Sequence, residues 1–173
     1  VTIGGKTYTT VLDAAGNWSV GVPASVISGL SDGTVTVTAS VTDAAGNTGT
    51  GTHNVTVDTG LPSVSFDTLS GDNVLNAVEK GQDLTVSGTS VNLAAGTTVT
   101  VTLNGKQYTA TTTASGAWSL TVPAADLAAL GEANYTLSAN ATNGVGNSVS
   151  NTAELLVDTA LPDGGSVVEP ANT

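Results

Sequence analysis

Apolar and polar residues alternate along much of the chain, and the alternation predicts strands. Between Thr97 and Leu103, Val99, Val101 and Leu103 point one way while Thr98, Thr100 and Thr102 point the other, the period of two expected of a half-buried strand. Asn104-Gly105 comes next, a pair suited to a type I′ hairpin turn because both central residues of that turn need positive φ. The return strand Lys106–Thr113 places Tyr108 and Ala110 on one face, and a second turn at Ala114–Ala117 leads into Trp118, Leu120 and Val122. Two further strands, Asn134–Thr142 and Ser148–Asp158, offer Tyr135, Leu137, Ala139 and Ala141, then Ala153, Leu155 and Val157. Upstream, Pro62–Thr68 and Asp83–Gly88 add Val64, Phe66, Leu84 and Val86 to the predicted core. One short helix is predicted, over Ala124–Leu130 after Pro123, capping the open end of the strand set.

The pattern occurs twice. Residues 1–62 laid without a gap over 101–162 agree at 25 of 62 positions, including Trp18 with Trp118, Pro23 with Pro123, Asp58 with Asp158 and Pro62 with Pro162. A repeat of one hundred residues has the size of a sandwich domain and not of a solenoid rung. The motif Val-Asp-Thr-x-Leu-Pro at 57–62 and 157–162 marks the unit boundary, since proline stiffens the chain and lacks the donor a continuing strand needs. We therefore expect 1–58 to be the C-terminal part of a preceding repeat, 59–158 a complete repeat, and 159–173 a linker with the start of the next segment. Each repeat carries roughly seven strands, so the fold class is all-β, a tandem of immunoglobulin-like β-sandwiches of about one hundred residues. Trp118, and Trp18 with it, is expected in the core or as its cap and not as a ligand platform.

Composition agrees and narrows the function. The chain of 173 residues holds 30 Thr, with 39% hydrophobic but only 3% aromatic residues, so the core is built from Val, Leu, Ile and Ala and the β-branched Thr favours strands. Three Lys, no Arg and 14 acids give a net charge of −11, which repels phosphate and excludes a nucleic-acid partner. The absence of Cys removes disulfides, thiolate metal sites and a thiol nucleophile. No apolar run is long enough to span a bilayer, so this segment is not expected to insert in a membrane. A single His53, opposite Ala153 in the repeat, reads as a surface strand residue. Asp67 with Asp72 would be a carboxylate pair for glycoside hydrolysis only within an aromatic-lined groove; no catalytic residue is assigned and the chain is not expected to be an enzyme.

Several stretches taken together have a familiar order: DNVLNAVEKGQDLTVSGTS at 72–90, TVTVTLNGKQYTATTTASGAWSLTVPAADLAAL at 98–130, then ATxxxGN at 141–147 before a terminal VDT. As an ordered set they resemble the bacterial Ig-like repeats of giant RTX-type adhesins, type I-secreted surface and biofilm proteins of Gram-negative bacteria. The resemblance covers 59–158 fully and 1–58 in truncated form. It implies stalk repeats of an extracellular, cell-surface protein whose partners are the neighbouring Ig-like repeats of its own chain. It also implies Ca²⁺ at or near the domain junctions. Where the first repeat reads Thr42-Asp43-Ala44-Ala45-Gly46-Asn47, the second reads Thr142-Asn143-Gly144-Val145-Gly146-Asn147, which removes a carboxylate, and with it a calcium ligand, from that pole.

The acids themselves have a pattern. Asp58 and Asp158 end the last strand of each repeat, while Asp67, Asp72 and Glu79 lie in or beside the long loop after the first strand. In a sandwich that loop shares a pole with the end of the last strand, so Asp67, Asp72, Glu79 and Asp158 are expected to converge. Hard cations take six to eight oxygens from carboxylates and loop carbonyls, and a bound ion turns mutual repulsion into a cross-link. The same residues also read as solvated turn formers, Gly71-Asp72-Asn73 above all. Two other functions stay open on the sequence: a filament subunit completed by strands from other copies of the protein, because 1–58 lacks its opening strands, and an Ig-like module that binds a ligand of its own.

Overall fold

The computed structural model of the chain describes residues 1–162, which form two compact units, Val1–Gly60 and a second beginning at Leu61. The expected linker 159–173 therefore lies, from residue 163 on, outside the described residues.

The first unit contains β1 (Thr2–Ile3), β2 (Lys6–Thr7), a one-turn helix α1 (Ala24–Ile27), β3 (Gly33–Thr42) and β4 (Thr48–Val57). They make one sheet in the order β2-β1-β3-β4, dominated by a ten-pair antiparallel ladder from Gly33↔Val57 to Thr42↔Thr48. The second unit contains β5 (Ser63–Phe66), β6 (Val74–Leu75), β7 (Leu84–Val91), β8 (Thr98–Leu103), β9 (Lys106–Thr111), β10 (Ala117–Val122), α2 (Ala124–Ala128), β11 (Ala133–Thr142) and β12 (Ser148–Val157). These form a three-stranded sheet, β10-β7-β5, and a five-stranded sheet, β6-β12-β11-β8-β9.

The second unit is the predicted sandwich. Val86, Val99, Val101, Val122, Leu127, Leu137, Ala139 and Leu155 are wholly buried in its core, each large aliphatic contributing about 1.5–3 kcal/mol by leaving water. Asn104 and Gly105 take φ +49° and +78°, as the hairpin requires. The strand count is eight instead of seven. The added strand is β6, a two-residue stretch paired in parallel with β12 through Leu156↔Val74 and Val157↔Leu75. It carries the opening strand from one sheet to the other and is too short to show an alternation.

The first unit departs from its expected form. Its Asn17–Val22 segment repeats the pattern of β10, yet it forms no strand, and Trp18 is 46% exposed where Trp118 is 2% exposed. In the second unit β10 bonds along its whole length to β7, from Ala117↔Thr89 to Val122↔Leu84. The described residues of the first unit include no counterpart of β5, β6 or β7. Alternation assigns faces, but a strand also needs a partner for its backbone groups.

Candidate functional site

The residues just after the last strand of each unit are held by two carboxylates. In the first unit the Asp58 Oδ1 accepts the Gly60 N–H at 3.0 Å, an Asx turn. Asp32, from the turn before β3, accepts the Thr59 N–H at 3.0 Å and its hydroxyl at 2.8 Å. The second unit repeats the arrangement: Asp158 accepts the Ala160 N–H at 3.2 Å, and Glu132 accepts the Thr159 N–H at 3.1 Å and its hydroxyl. The Thr159 hydroxyl, then its N–H, then the charge of Lys80 hold the Glu132 carboxyl below its ordinary range. The repeated Val-Asp-Thr motif points to Asp58 and Asp158 but not to Asp32 and Glu132. The signal for those two is an acid recurring one hundred residues apart, 27 residues before a Thr in both units.

The other acids expected at this pole each make local hydrogen bonds. The Asp158 N–H donates to the Leu75 carbonyl at 3.0 Å. Asn76 comes directly after Leu75, and Glu79 turns back to accept the Asn76 N–H at 3.1 Å, while Asn76 Oδ1 accepts the N–H groups of Val78 and Glu79, a reciprocal capping box. The chain thus attaches Asp158 and Glu79 to consecutive residues. Asp72 accepts the Val74 N–H at 2.9 Å, on the residue just before Leu75, and Asp67 accepts the Ser87 hydroxyl at 2.6 Å in the middle of β7. Among the described residues no three His, Cys, Asp or Glu side chains gather where a metal ion would sit. In kind the exits suit a hard cation, because each offers only oxygen: two carboxylates and a Thr hydroxyl. In number they supply part of the six to eight oxygens that calcium takes.

A family model of the bacterial Ig-like domain matches residues 1–59 and again 63–159. The chain belongs to the bacterial Ig-like domain family. Among solved structures, a Ca²⁺-stabilized adhesin that helps an Antarctic bacterium reach out and bind ice is 37% identical with a TM-score of 0.51, covering 91% of this chain and 39% of that one. A 1.5-MDa bacterial ice-binding adhesin is 36% identical with a TM-score of 0.48, covering 92% of this chain and 52% of that one. A bacterial immunoglobulin-like domain of the M. primoryensis ice-binding adhesin is 34% identical with a TM-score of 0.45, covering 57% of this chain and 98% of that one. This chain therefore spans well under two thirds of the first two. No curated protein matches it.

Both Ig-like units reuse one turn. Asp13–Asn17, Asp43–Asn47, Thr113–Ala117 and Asn143–Asn147 share the same pair of backbone bonds, with first N–H to last carbonyl at 2.8–2.9 Å. The fourth residue is a glycine at φ between +83° and +94° in each. At Asp43 the carboxylate accepts the N–H of Ala45 and of Asn47 at 2.9 Å and the Asn47 side-chain amide at 2.9 Å. Those bonds, led by the Asn47 side chain, lower its pKa, and Asp13 does the same work in the first unit. Asn143 keeps the two backbone bonds, at 3.2 and 2.8 Å, but its buried Nδ2 has no partner. In this structure, then, the carboxylate that the second repeat lacks serves its own turn.

Asn143→Asp is expected to stabilise the second unit by about 1 kcal/mol at neutral pH, because it replaces an unpaired buried donor by an acceptor that the Asn147 amide can reach. A carboxyl whose folded pKa is lowered stabilises above its unfolded value, so the gain is lost as pH falls through the folded value. Denaturant melts at pH 7 and pH 3 check this; a variant no more stable at pH 7 contradicts it.

Two further features are structural. Lys106 Nζ bonds both oxygens of Asp126 at 2.7 Å, and the Tyr108 hydroxyl donates to Asp126 Oδ2 at 2.8 Å, tying α2 to β9. Burial first, then the Asp126 carboxylate, pushes the Tyr108 pKa up to about 12. His53 is exposed in β4, opposite Val37 and on the same face of the sheet.

Proposed function

We propose that this chain is part of the extender, or stalk, of a long extracellular bacterial adhesin, holding a distal binding region away from the cell surface and so supporting adhesion and biofilm formation. The observation that carries this reading is the tandem of Ig-like units in a 100-residue register, each ending in the same carboxylate-locked exit. Sequence likeness to adhesin repeats supports it. The mechanism is mechanical and ionic: strand ladders resist extension within a unit, while the exits govern bending between units. No step of it requires a catalytic group.

Calcium at or near the junctions is part of the proposal. Asp58 with Asp32, and Asp158 with Glu132, would hold the ion, with Glu79 beside Asp158 on the loop side and the remaining oxygens drawn from the adjoining repeat. Asp72 and Asp67, bonded to Val74 and Ser87, are the further carboxylates proposed for the set. What the ion supplies is charge: it offsets repulsion between carboxylates in a chain of net charge −11 and links two otherwise independent units.

Millimolar Ca²⁺ is expected to raise the melting temperature by about 10 °C or more, since an ion that binds only the folded form at about 100 times its Kd adds about 2.7 kcal/mol. Asp58→Ala, Asp158→Ala and Asp72→Ala should each remove part of that rise. A wild-type melt that is the same in Ca²⁺ and in chelator contradicts the calcium component.

A further inference from the structure

The turn between β11 and β12 carries two unexplained residues side by side. Asn143 is 8% exposed and its Nδ2 is a buried donor without a partner, a state that costs free energy. Beside it, Gly144 stands where the three related turns have Ala14, Ala44 and Ala114. The turn does not require that glycine: its φ is not positive, and a Cβ there would meet no atom within 4 Å. Packing therefore accounts for neither member of the Asn-Gly pair.

Reactivity accounts for both. In such a pair the backbone nitrogen of the second residue attacks the side-chain amide carbon of the first, and glycine leaves the approach open because it has no Cβ. Asn143 Oδ1 accepts the N–H of Val145 at 3.2 Å and of Asn147 at 2.8 Å, so two donors already face the oxygen on which negative charge develops during attack. The Gly144 N–H makes no hydrogen bond among the described residues, and the leaving Nδ2 has none to break. Gly144, Val145 and Gly146 are exposed, which gives water and hydroxide access to the turn.

We propose that Asn143-Gly144 is a self-modification site, at which the chain converts its own asparagine to aspartate. Hydroxide removes the Gly144 amide proton, and the freed lone pair bonds to Asn143 Cγ. The Cγ–Nδ2 bond then breaks and Nδ2 leaves as ammonia, taking a proton from water. Water adds to Cγ of the resulting cyclic imide, and the N–Cγ bond opens as the Gly144 nitrogen regains a proton. The sum is asparagine plus water to aspartate plus ammonia, with no change of oxidation state.

The turn also selects the product. At Asp43 and Asp13 the second carboxylate oxygen accepts the side-chain amide of Asn47 at 2.9 Å and of Asn17 at 3.2 Å, and an aspartate at position 143 faces Asn147 in the same way. Opening the imide at its other carbonyl gives isoaspartate, which inserts a methylene into the main chain. That methylene falls inside the rings closed by the Asn143 N–H on the Asn147 carbonyl at 2.9 Å and the Gly146 N–H on the Asn143 carbonyl at 3.1 Å. Aspartate is therefore favoured here, the reverse of an unconstrained chain. The inference stands independently of the extender reading.

The test holds the full chain at mildly alkaline pH for weeks and maps its peptides by mass spectrometry with fragmentation that tells aspartate from isoaspartate. Mapping also separates this site from Asn104-Gly105, the other Asn-Gly pair of the chain. Position 143 is expected to become aspartate, in excess over isoaspartate by at least about fivefold. The denaturation midpoint of the second unit should climb with conversion to that of Asn143→Asp. Gly144→Ala, which gives the turn the residue of its relatives, should slow conversion by at least about tenfold and leave the fresh chain's midpoint unchanged. An Asn143 still intact at the end overturns the proposal, as does isoaspartate as the main product or a Gly144→Ala chain that converts as fast.

Discussion

Gly88→Val is expected to cost the second unit more than about 3 kcal/mol, roughly 15 °C or more of melting temperature for a domain of this size. Gly88 is buried in the middle strand of the three-stranded sheet, opposite Phe66 on one side and Trp118 on the other. An added Cβ would fall 1.7 Å from the Ser65 carbonyl oxygen and 2.8 Å from its carbon, both backbone, and 2.6 Å from Trp118 Cζ2. A flexible side-chain tip can move aside; a ladder carbonyl cannot move without breaking the β5–β7 pairing. Gly88→Ala should therefore already be costly, and valine, with two more methyl groups and a stiff χ1, costlier. A Gly88→Ala melt within a degree or two of wild type contradicts this close approach.

The second large effect is a difference between matched positions. Trp118→Ala is expected to cost about 3–5 kcal/mol, the range for removing a fully buried large aromatic. The indole is 2% exposed, packs edge-on against Phe66 and uses its N–H on the Thr89 carbonyl. Trp18→Ala, at the same place in the repeat but 46% exposed, is expected to cost less than about 1 kcal/mol, as exposed positions usually do. Denaturant unfolding monitored by unit-specific amide probes separates the two. Equal losses contradict the difference in burial between the units.

Both predictions turn on what the sequence could and could not reveal. The faces of β8, β10, β11 and β12 were legible because each strand has water on one side and core on the other, so Val99, Leu120, Leu137 and Leu155 stand out by alternation. The Asn104-Gly105 turn was legible because few residue pairs accept positive φ twice. Pairing was not. The pattern of Asn17–Val22 is as strand-like as that of Ala117–Val122, yet only the second has β7 beside it. β6 escaped because two residues carry no period.

The candidate site shows the same division. Asp58 and Asp158 were conspicuous in a repeated Val-Asp-Thr motif. Their partners Asp32 and Glu132 approach from 27 residues before the bonded Thr, a distance at which only the fold creates proximity. Asp67 and Asp72 looked equivalent to Glu79 along the chain because all flank one loop. Asp67 is held at mid-β7 by Ser87, whereas Asp72 and Glu79 bond Val74 and Asn76, the residues on either side of the Leu75 that takes the Asp158 N–H.

Divalent metal is proposed to stiffen this string of anionic sandwiches at the places where neighbours join. With no native Cys, spin labels placed by Thr34→Cys in β3 and Thr109→Cys in β9 give a distance distribution between the two units by pulsed electron resonance. A broad distribution is expected in chelator, narrowing sharply in millimolar Ca²⁺, and a broad one in both for Asp58→Ala. Distributions of the same width with and without Ca²⁺ in the otherwise unaltered chain would contradict it.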